Sequence, residues 1–460
     1  MKQIDVVKRI VLLQLKGVCI IFEGLLYTYF WYTAYADGIK NVFWNRGNWL
    51  VIAINVSILI IFSQLYGGLR IGYSKPTEVF FSQSFATICA NVFAYLQASL
   101  LSAKFVNGIP MLKMTVIAII GVAVWTYASD SLYRKMFPPR NLLLVHGERP
   151  IDGILEKFNT RKDKYNIVKC MPITEGLDKV NAEILERYDG LIIWDVPSDK
   201  KGKLVKYCYG KGIRVYLMPK ISDVIIRGSD QLHLFDSPIL LTREYSITVE
   251  QMVAKRFIDL FCALILTVIT SPVMLITAII IKISDRGPIF YKQVRVTRGS
   301  KEFKIIKFRS MKVDAEKDGV ARLASENDQR ITPIGKFIRK VRIDELPQLF
   351  NILKGDMSFI GPRPERPEII AQYIEDMPEF EFRTRVKAGL AGYAQVFGKY
   401  NTTPYDKLKL DLFYIENYNV WLDIKLMLLT LKILFKAEST EGINDTQKTA
   451  LRAYEEEDNR

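Results

Sequence analysis

Residues 342–356 read Arg-Ile-Asp-Glu-Leu-Pro-Gln-Leu-Phe-Asn-Ile-Leu-Lys-Gly-Asp, with two adjacent carboxylates ahead of an apolar stretch. The apolar residues recur at helical spacing, and Lys354 and Gly355 give a basic last turn and a stop signal, which predicts a short amphipathic helix. We expect Asp344 near the helix N-cap, where the helix dipole favours an ionised carboxylate that points outward. Such a carboxylate can act as a nucleophile or bind a hard metal ion. On spacing alone, Asp344 and Glu345 are also an ordinary helix cap.

The composition of the chain is typical of a membrane protein that also has a polar part. Of the 460 residues, 49% are hydrophobic and 25% are charged. The net charge of +15 indicates an anionic partner, such as phospholipid headgroups, nucleic acid or a phosphorylated substrate. With only two histidines, and five cysteines that form no CxxC pair, the chain is not expected to hold a histidine-based zinc site or a catalytic triad. The thiols are expected to be reduced.

Four apolar stretches, at roughly 10–33, 49–67, 79–102 and 112–131, are long enough to cross a bilayer. The first is too long for the apolar part of a signal peptide and lacks a cleavage site, so we expect it to be retained. Basic residues precede the first stretch, separate the second from the third and follow the fourth. This pattern places the N-terminus and the exit near residue 140 in the cytoplasm.

Two ionisable residues lie inside the first apolar stretch. Lys16 and Glu23 are seven residues apart, which places them on one face of a helix. We expect an ion pair inside the bundle, or a lysine that extends its amine towards the membrane surface, rather than a transport function.

A fifth apolar stretch, residues 257–281, is interrupted by Ser271-Pro272 and has basic residues on both sides. The charge pattern places both of its ends in the cytoplasm, which a single crossing cannot satisfy. We therefore expect a re-entrant helix over 255–282 that enters the membrane, breaks at Pro272 and returns. The Ser271 hydroxyl can bond to backbone freed by the proline. The alternative is a kinked transmembrane helix, which would place the following residues outside the cell.

Residues 140–240 alternate short apolar runs with helical patterns, which predicts an α/β domain with a parallel sheet. The turn after the first strand, 146–150, contains one glycine, and Glu148 would repel a phosphate. A Rossmann-like fold without a bound nucleotide is therefore expected. The predicted strands are 142–145, 167–170, 191–194 and 215–217, and the predicted helices are near 151–159, 178–188 and 199–211.

The remainder of the chain is basic and dense in short motifs. A helical pattern over 334–341 has an apolar and a basic face and could lie on the membrane surface. In Phe-Ile-Gly-Pro-Arg-Pro, residues 359–364, two prolines and a glycine stiffen the loop and hold Arg363, whose guanidinium suits a phosphate or a planar base edge. The simpler explanation is that these cations only contact lipid.

Over about residues 252–440 these motifs together resemble the bacterial polyprenol-phosphate phosphoglycosyl transferases of the monotopic superfamily, the bacterial sugar transferase family. The resemblance rests on the Ser271-Pro272 break, Lys307-Phe308-Arg309-Ser310-Met311, Asp344-Glu345-Leu346-Pro347-Gln348, the runs 354–364 and 389–396, Leu410-Asp411 and Leu422-Asp423.

The large form of this family implies a membrane protein with three domains and a tail. A four-helix transmembrane bundle would occupy residues 1–139 and a degenerate Rossmann-like α/β domain residues 140–240. A mainly α-helical monotopic catalytic domain with the re-entrant helix would occupy residues 241–436, and a polar tail residues 437–460. The implied location is the bacterial cytoplasmic membrane, with the catalytic domain facing the cytoplasm.

The resemblance also implies a reaction. Asp344 would attack the β-phosphorus of a UDP-sugar, release UMP and form a phosphosugar–aspartyl intermediate, and undecaprenyl phosphate would then take the phosphosugar. Glu345, with Asp344 as a second candidate, would hold Mg²⁺. This step would initiate the assembly of an exopolysaccharide, capsule or O-antigen-type glycan. By their positions in the family motifs, seven residues would bind substrate: Lys307, Arg309, Arg339, Arg363, Gln395, Asp411 and Asp423.

The implied partners are UDP-sugar, undecaprenyl phosphate and membrane lipids but no nucleic acid, and the large family members suggest a homodimer. One segment departs from the family pattern, because Gly398-Lys399-Tyr400-Asn401 stands where Gly-Arg-Asn is common. Two other functions stay open on the sequence: a non-catalytic membrane scaffold for glycan assembly and, with less support, a channel or transporter. The motifs do not identify the sugar.

Overall fold

A computed structural model describes residues 3–38, 47–234, 236–242, 247–312, 330–398 and 402–434. The chain divides into two compact units, Met1–Met218 and Pro219–Arg460. The predicted polar tail and the departure at residues 399–401 lie outside the described residues.

Four long helices begin the first unit: α1 (Gln3–Phe30), α2 (Gly47–Tyr66), α3 (Pro76–Leu101) and α4 (Ile109–Met136). They cover the four predicted apolar stretches, and each is long and apolar enough to cross a membrane. Helix α1 packs on α2 and α4, and α3 also packs on α2 and α4. One buried cluster surrounds Tyr27 and Trp31, and a second surrounds Val122 and Trp125.

Of the two alternatives predicted for Lys16 and Glu23, the ion pair is wrong, and the extension of the lysine amine towards the membrane surface stays a prediction. Glu23 is buried and accepts hydrogen bonds from Gln83 Nε2 at 2.8 Å, Thr87 Oγ1 at 2.6 Å and Cys19 Sγ at 3.4 Å. No ion pair joins Glu23 to the half-buried Lys16. The reason is geometric, because seven residues of helix separate the two backbones by about 10 Å, whereas polar groups of α3 face the carboxylate directly.

The α/β part of the first unit has the predicted strand–helix alternation. Its strands are β1 (Arg140–His146), β2 (Tyr165–Pro172), β3 (Gly190–Trp194) and β4 (Arg214–Leu217), which form a parallel sheet in the order β2-β1-β3-β4. Its helices are α5 (Asp152–Asn159), α6 (Leu177–Arg187) and α7 (Ser198–Gly210). Alternate residues of β1 enter two different buried clusters, so both faces of this central strand are covered.

The single glycine after β1 serves a contact between two loops. The Gly147 amide donates to the Trp194 carbonyl at 3.0 Å, and a Cβ at Gly147 would lie 2.2 Å from the Asp195 carbonyl oxygen. Arg149 pairs with Asp195 at 3.6 Å across the same turn. The close approach of these two loops explains why residue 147 must be glycine. This explanation does not require a phosphate to bind at the turn.

The second unit is mainly helical. Its elements are α8 (Ile221–Arg227), β5 (Asp230–Leu234), β6 (Ser237–Leu241), α9 (Val249–Asp285), β7 (Phe290–Val296), β8 (Glu302–Phe308), α10 (Pro333–Lys340), α11 (Gln348–Lys354), β9 (Ser358–Ile360), α12 (Pro367–Asp376), β10 (Gly389–Ala391), α13 (Tyr393–Phe397), α14 (Pro404–Glu416) and α15 (Val420–Leu434). Strands β5 and β6 form one antiparallel hairpin and β7 and β8 another, whereas β9 and β10 pair in parallel.

Helix α9 is the fifth helix long and apolar enough to cross a membrane, and Pro272 lies inside it. Because Pro272 has no N–H, it cannot donate to the carbonyl four residues earlier, at Val268. The Ser271 hydroxyl donates to that carbonyl at 2.8 Å. The predicted bond from the serine to the freed carbonyl is therefore present, whereas the predicted break at Pro272 is not seen, because the helix continues through the proline from Val249 to Asp285.

Both ends of α9 contact the rest of the second unit. Near its beginning, Arg256 donates to the carbonyls of Ile352 and Leu353, at 2.6 and 2.8 Å, at the end of α11. Near its end, Ile281 lies in a buried cluster with Phe308 of β8 and with part of the apolar face of α10, including Ile338. The apolar side chains between these contacts are largely exposed, so α9 presents an uncovered apolar surface between two anchored ends.

Candidate active site

The two adjacent carboxylates lie on a short turn between α10 and α11. Arg342 takes a left-handed conformation, with φ of 55°, and Asp344 and Glu345 follow in a 3-10 turn over Ile343–Glu345. Helix α11 begins only at Gln348, with Pro347 at its N-cap. The predicted N-cap position of Asp344 is therefore wrong.

The reason for this difference is the hydrogen bonding of the turn. The amides of Glu345 and Leu346 donate to carbonyls three residues earlier, at 3.2 and 3.1 Å, as in a 3-10 helix. Pro347 has no N–H that could carry an α-helical bond back to Ile343. The carboxylates thus sit on a separate turn before the helix.

Three cations from three segments surround the Glu345 carboxylate. Lys307 Nζ, from β8, lies 3.1 Å from Oε1, and Arg363 Nη2 lies 3.3 Å from the same oxygen. Arg342 Nη1 lies 3.7 Å from Oε2. Burial alone would raise the pKa of Glu345, but Lys307, Arg363 and Arg342 hold it well below its usual range. Glu345 is therefore ionised at neutral pH.

Asp344 differs from its neighbour in its electrostatics. Burial and then the charge of Glu345 raise the pKa of Asp344 to about 6, against the opposing effect of Lys307, Arg339 and Arg363. The carboxylate is thus ionised at neutral pH but can exchange a proton just below it. Nearby cations, and not a helix dipole, oppose this increase in pKa, and they offset only part of it.

Arg363 is held by a loop with unusually close backbone packing. The Gly361 amide donates to the Ala391 carbonyl and the Gly389 amide to the Pro362 carbonyl, both at 2.9 Å, which joins the ends of β9 and β10. A Cβ at Gly389 would lie 2.1 Å from the Gly361 nitrogen, so only glycine fits. The guanidinium of Arg363 remains 40% exposed beside Glu345.

A buried ion-pair cluster supports this loop from behind. Arg383 Nη2 donates to the Arg363 carbonyl at 3.0 Å and pairs with Asp411 Oδ2 at 2.9 Å. Glu365 accepts from Lys407 and lies 3.7 Å from Arg383. Asp411, for which the sequence predicted a substrate contact, is 1% exposed and holds Arg383 beside this loop, and its contact with substrate stays a prediction. Neither Arg383 nor Glu365 was predicted from the sequence.

A second buried network joins α9 to the same loop. Lys255 Nζ pairs with Asp423 Oδ2 at 2.6 Å and donates to the Ile360 carbonyl at 2.9 Å. The Tyr414 hydroxyl donates to Asp423 Oδ1 at 2.8 Å. Asp423 was also predicted to bind substrate, but its side chain is 5% exposed and its two oxygens face Lys255 and Tyr414. Lys255, which the sequence suggested only as a basic flank of the membrane helix, is part of this network.

Two further residues predicted to bind substrate are not among the described contacts of Glu345. Arg309 is buried, and a Cβ at Gly287 would lie 1.9 Å from its Nη1 atom, so the guanidinium packs on that glycine. Gln395 donates through Nε2 to the Leu390 carbonyl at 3.4 Å. Of the residues predicted to bind substrate, the structure therefore places Lys307, Arg339 and Arg363 near the acidic pair. The other four are not among the described contacts of Glu345: Arg309, Gln395, Asp411 and Asp423.

We expect Lys255→Met to destabilise the second unit strongly, because it leaves the Asp423 carboxylate buried without its cation. Loss of one partner of a buried pair costs about 3 kcal/mol, or roughly 6–12 °C in Tm for a unit of this size. Thermal unfolding of the purified protein in detergent measures this change.

Lys354→Met is the matched control, because Lys354 pairs with Asp356 at 3.1 Å while its own side chain is 75% exposed. Such a pair contributes less than about 1 kcal/mol. Equal melting temperatures for the two variants, with a raised KM for the donor in Asp423→Asn, would instead support the predicted substrate contact.

The described residues contain no group of three or more His, Cys, Asp or Glu side chains placed to hold a metal ion. Asp344 and Glu345 are two adjacent carboxylates, and Mg²⁺ is commonly bound by one or two carboxylates together with substrate phosphates and water. The donor set therefore fits a Mg²⁺ ion that a phosphorylated substrate helps to bind.

Comparisons with known proteins match the part of the chain that contains these residues. The Bacterial sugar transferase family profile matches residues 250–437. A UDP-N-acetylgalactosamine-undecaprenyl-phosphate N-acetylgalactosaminephosphotransferase of Aeromonas hydrophila is 37% identical over 54% of this chain and 59% of its own length. An undecaprenyl-phosphate glucose phosphotransferase of Komagataeibacter xylinus is 40% identical over 61% of this chain and 51% of its own length.

A shorter relative is matched over nearly its whole length. This uncharacterized sugar transferase of Bacillus subtilis (strain 168) is 38% identical over 42% of this chain and 92% of its own length. In contrast, the chain spans only about half the length of the two larger relatives. The similarity to the short relative therefore extends across nearly the complete length of a sugar transferase.

Proposed function

Because this chain belongs to the bacterial sugar transferase family, we propose that it transfers a sugar 1-phosphate from a UDP-sugar to undecaprenyl phosphate. The names of two relatives support this acceptor and this class of group transfer. The observation that carries the proposal is the convergence of Lys307, Arg339 and Arg363 on the Asp344–Glu345 turn. Several cations beside an ionisable carboxylate suit a reaction in which that carboxylate must approach an anionic diphosphate.

In the first step, an Asp344 carboxylate oxygen attacks the β-phosphorus of the UDP-sugar. A phosphorus–oxygen bond to Asp344 forms while the bond from the β-phosphorus to the bridging oxygen breaks, and its electron pair leaves with UMP. Lys307 and Arg363 stabilise the charge that develops on the phosphoryl oxygens and on the leaving group. The pKa of Asp344, about 6, leaves this nucleophile ionised at neutral pH.

In the second step, a phosphate oxygen of undecaprenyl phosphate attacks the phosphorus of the phosphosugar–aspartyl intermediate. The bond to Asp344 breaks, its electron pair returns to the carboxylate, and undecaprenyl-diphospho-sugar is formed. The same cations then neutralise the second incoming phosphate, so one site serves both half-reactions.

Glu345 is the residue that would hold Mg²⁺, with Asp344 as its neighbour and the donor diphosphate supplying further oxygens. When bound, the ion would neutralise the diphosphate and act as a Lewis acid towards its oxygens. The low pKa of Glu345 suits this role, because a metal ligand must be deprotonated. Glu345 also contacts Lys307 and Arg363, and so it holds both cations next to Asp344.

The proposed location of the site is the cytoplasmic surface of the membrane. Helix α9 is anchored through Arg256 near one end and Ile281 near the other, both on the folded part of the second unit. A helix that crossed the bilayer once would carry its two ends to opposite sides, away from one common folded body. The two anchors therefore support a re-entrant α9, which keeps the site accessible to cytoplasmic UDP-sugar and to a membrane-embedded acceptor.

This topology predicts that cysteines introduced as Glu250→Cys and Ser284→Cys react from the cytoplasmic side alone. Both positions are exposed, and they lie at opposite ends of α9. The variants are made in a chain lacking the five native cysteines and are treated in intact cells with a membrane-impermeant maleimide. Labelling of Ser284→Cys from outside would mean that α9 crosses the membrane completely.

The proposed function is tested by UMP release from a panel of UDP-sugars, with and without undecaprenyl phosphate. One or a few UDP-sugars are expected to give UMP and an equal amount of lipid-linked phosphosugar. Absence of UMP release from every donor, by a folded protein in a native-like bilayer, would favour a non-catalytic scaffold.

A further inference from the structure

A group of cations and tyrosines lies at the edge of the sheet where β1 and β2 begin. Lys164, directly before β2, is half-buried, and its Nζ atom lies 4.3 Å from the Tyr73 ring centroid and 5.1 Å from that of Tyr165. No carboxylate of a described residue lies within ion-pair distance of this ammonium. Because Tyr73 belongs to the loop between α2 and α3, Lys164 lies where the α/β part of the first unit meets the helices.

Three more cations act at the same place. Arg161 donates to the Tyr73 carbonyl and forms a two-bond pair with Asp163, at 2.9 and 3.0 Å. Arg140, whose backbone is the register partner of Tyr165, donates to the Tyr216 hydroxyl at 3.2 Å. Lys8 of α1 lies over the Tyr133 and Phe137 rings, at 4.8 and 5.2 Å.

The electrostatics of Lys164 show that positive charge dominates this group. The pKa of Lys164 is lowered to about 8, mainly by burial and further by repulsion from three nearby cations, which are Arg161, Lys8 and Arg140. The negative charge of Asp163 raises this pKa but offsets only part of the decrease. A lysine ammonium that its neighbours destabilise would be stabilised by an added anion. Guanidinium and ammonium donors, together with tyrosine hydroxyls, are the groups that commonly bind phosphate oxygens.

We propose that Lys8, Arg140, Arg161 and Lys164 form a binding site for one phosphate-bearing anion, separate from the catalytic turn. The ligand is either the headgroup of an anionic phospholipid or a free phosphate group, since the two share the same chemistry. The loop between α2 and α3 and the exit of α4 carry the basic residues that the charge pattern places in the cytoplasm. In that topology, the four cations face the cytoplasmic leaflet, so a headgroup of that leaflet would contact them from the membrane surface.

The test uses the full chain, purified in a neutral detergent and stripped of lipid. In one arm, phosphatidylglycerol and phosphatidylcholine are added in equal amounts, and native mass spectrometry counts the lipids that remain bound. We expect preferential retention of phosphatidylglycerol and a loss of about fivefold in Lys164→Gln, which is the contribution typical of one cation beside an anionic lipid. In the other arm, the increase in Tm with millimolar inorganic phosphate is measured for the same proteins.

Two variants separate a binding role from a structural one. Lys164→Arg keeps the positive charge and should retain the lipid. Lys104→Gln removes an exposed lysine from the loop between α3 and α4 and should change nothing. Lipid retention and phosphate binding do not depend on sugar transfer, so failure of the proposed enzymatic function would leave this test intact.

The outcomes are distinct. Preferential phosphatidylglycerol retention that Lys164→Gln reduces by about fivefold supports the lipid form of the proposal. Stabilisation by inorganic phosphate that Lys164→Gln clearly reduces, without lipid preference, supports the free-phosphate form. Equal retention of the two lipids with no phosphate effect, or equal behaviour of wild type and a folded Lys164→Gln protein, would overturn the proposal.

Discussion

Asp344→Asn is expected to reduce turnover by a factor of about 10⁴ or more, because it removes the proposed nucleophile of the first half-reaction, which is also the proposed leaving group of the second. Asparagine is nearly isosteric with aspartate, so the 3-10 turn and α11 should fold as before. The variant should also release no UMP in a single-turnover experiment without acceptor. Both rates are measured with radiolabelled UDP-sugar and protein in a native-like bilayer.

The control for this experiment is Asp376→Asn, which makes the same chemical change at an exposed position at the end of α12. It should retain wild-type turnover, because Asp376 is exposed and is not among the described contacts of the acidic pair. Wild-type UMP release by the Asp344→Asn protein would show that residue 344 is not the nucleophile.

The second large effect is expected for Arg363→Ala. We expect kcat/KM for the UDP-sugar to fall about 10²–10³-fold, as is typical for removal of one preorganised charged donor that faces the transition state. Arg363→Lys should recover only part of this loss, because an ammonium cannot reproduce the two-pronged guanidinium contact. Membrane association should not change, because many other cations contribute to it.

Arg298→Ala removes the same charge from an exposed position of the second unit and serves as the matched control. It is expected to retain wild-type kcat/KM. Parallel loss of donor use and of membrane binding in Arg363→Ala would mean that Arg363 only contacts lipid headgroups.

Local sequence patterns predicted the secondary structure of much of the chain. The alternation of apolar runs and helical periods gave the strands and helices between residues 140 and 217, because each pattern reflects burial on one face of a single element. The bond from the Ser271 hydroxyl to the Val268 carbonyl was predictable for a similar reason. Both the missing N–H of Pro272 and the bond from the Ser271 hydroxyl to a carbonyl three residues earlier depend only on neighbouring residues.

The contacts that support the loop of Arg363 could not be predicted in this way. Lys255 and Asp423 are 168 positions apart in the sequence, and nothing in either neighbourhood indicates the other. Arg383 and Asp411 likewise meet only because the 3-10 helix Pro378–Arg385 packs on α14 next to the loop of Arg363. Local sequence therefore could not show that Asp411 and Asp423 each have a buried cation as a partner.

The sequence also predicted the wrong source of stabilisation for Asp344. A carboxylate before an apolar run suggests a helix N-cap, but the left-handed conformation of Arg342 places the acidic pair on its own turn. Lys307 and Arg363 contact Glu345 of that pair. Because both are far from Glu345 in the sequence, local patterns do not indicate these contacts. Family resemblance supplied these residues, whereas local propensity did not.

The covalent intermediate is the central claim, and peptide mapping by mass spectrometry tests it most directly. Wild-type protein is incubated with its UDP-sugar donor in the absence of undecaprenyl phosphate, quenched and digested. We predict one equivalent of UMP per protein and a sugar phosphate adduct on Asp344, which disappears when undecaprenyl phosphate is added before the quench. Full turnover with acceptor, but neither UMP nor an adduct without it, would contradict the account.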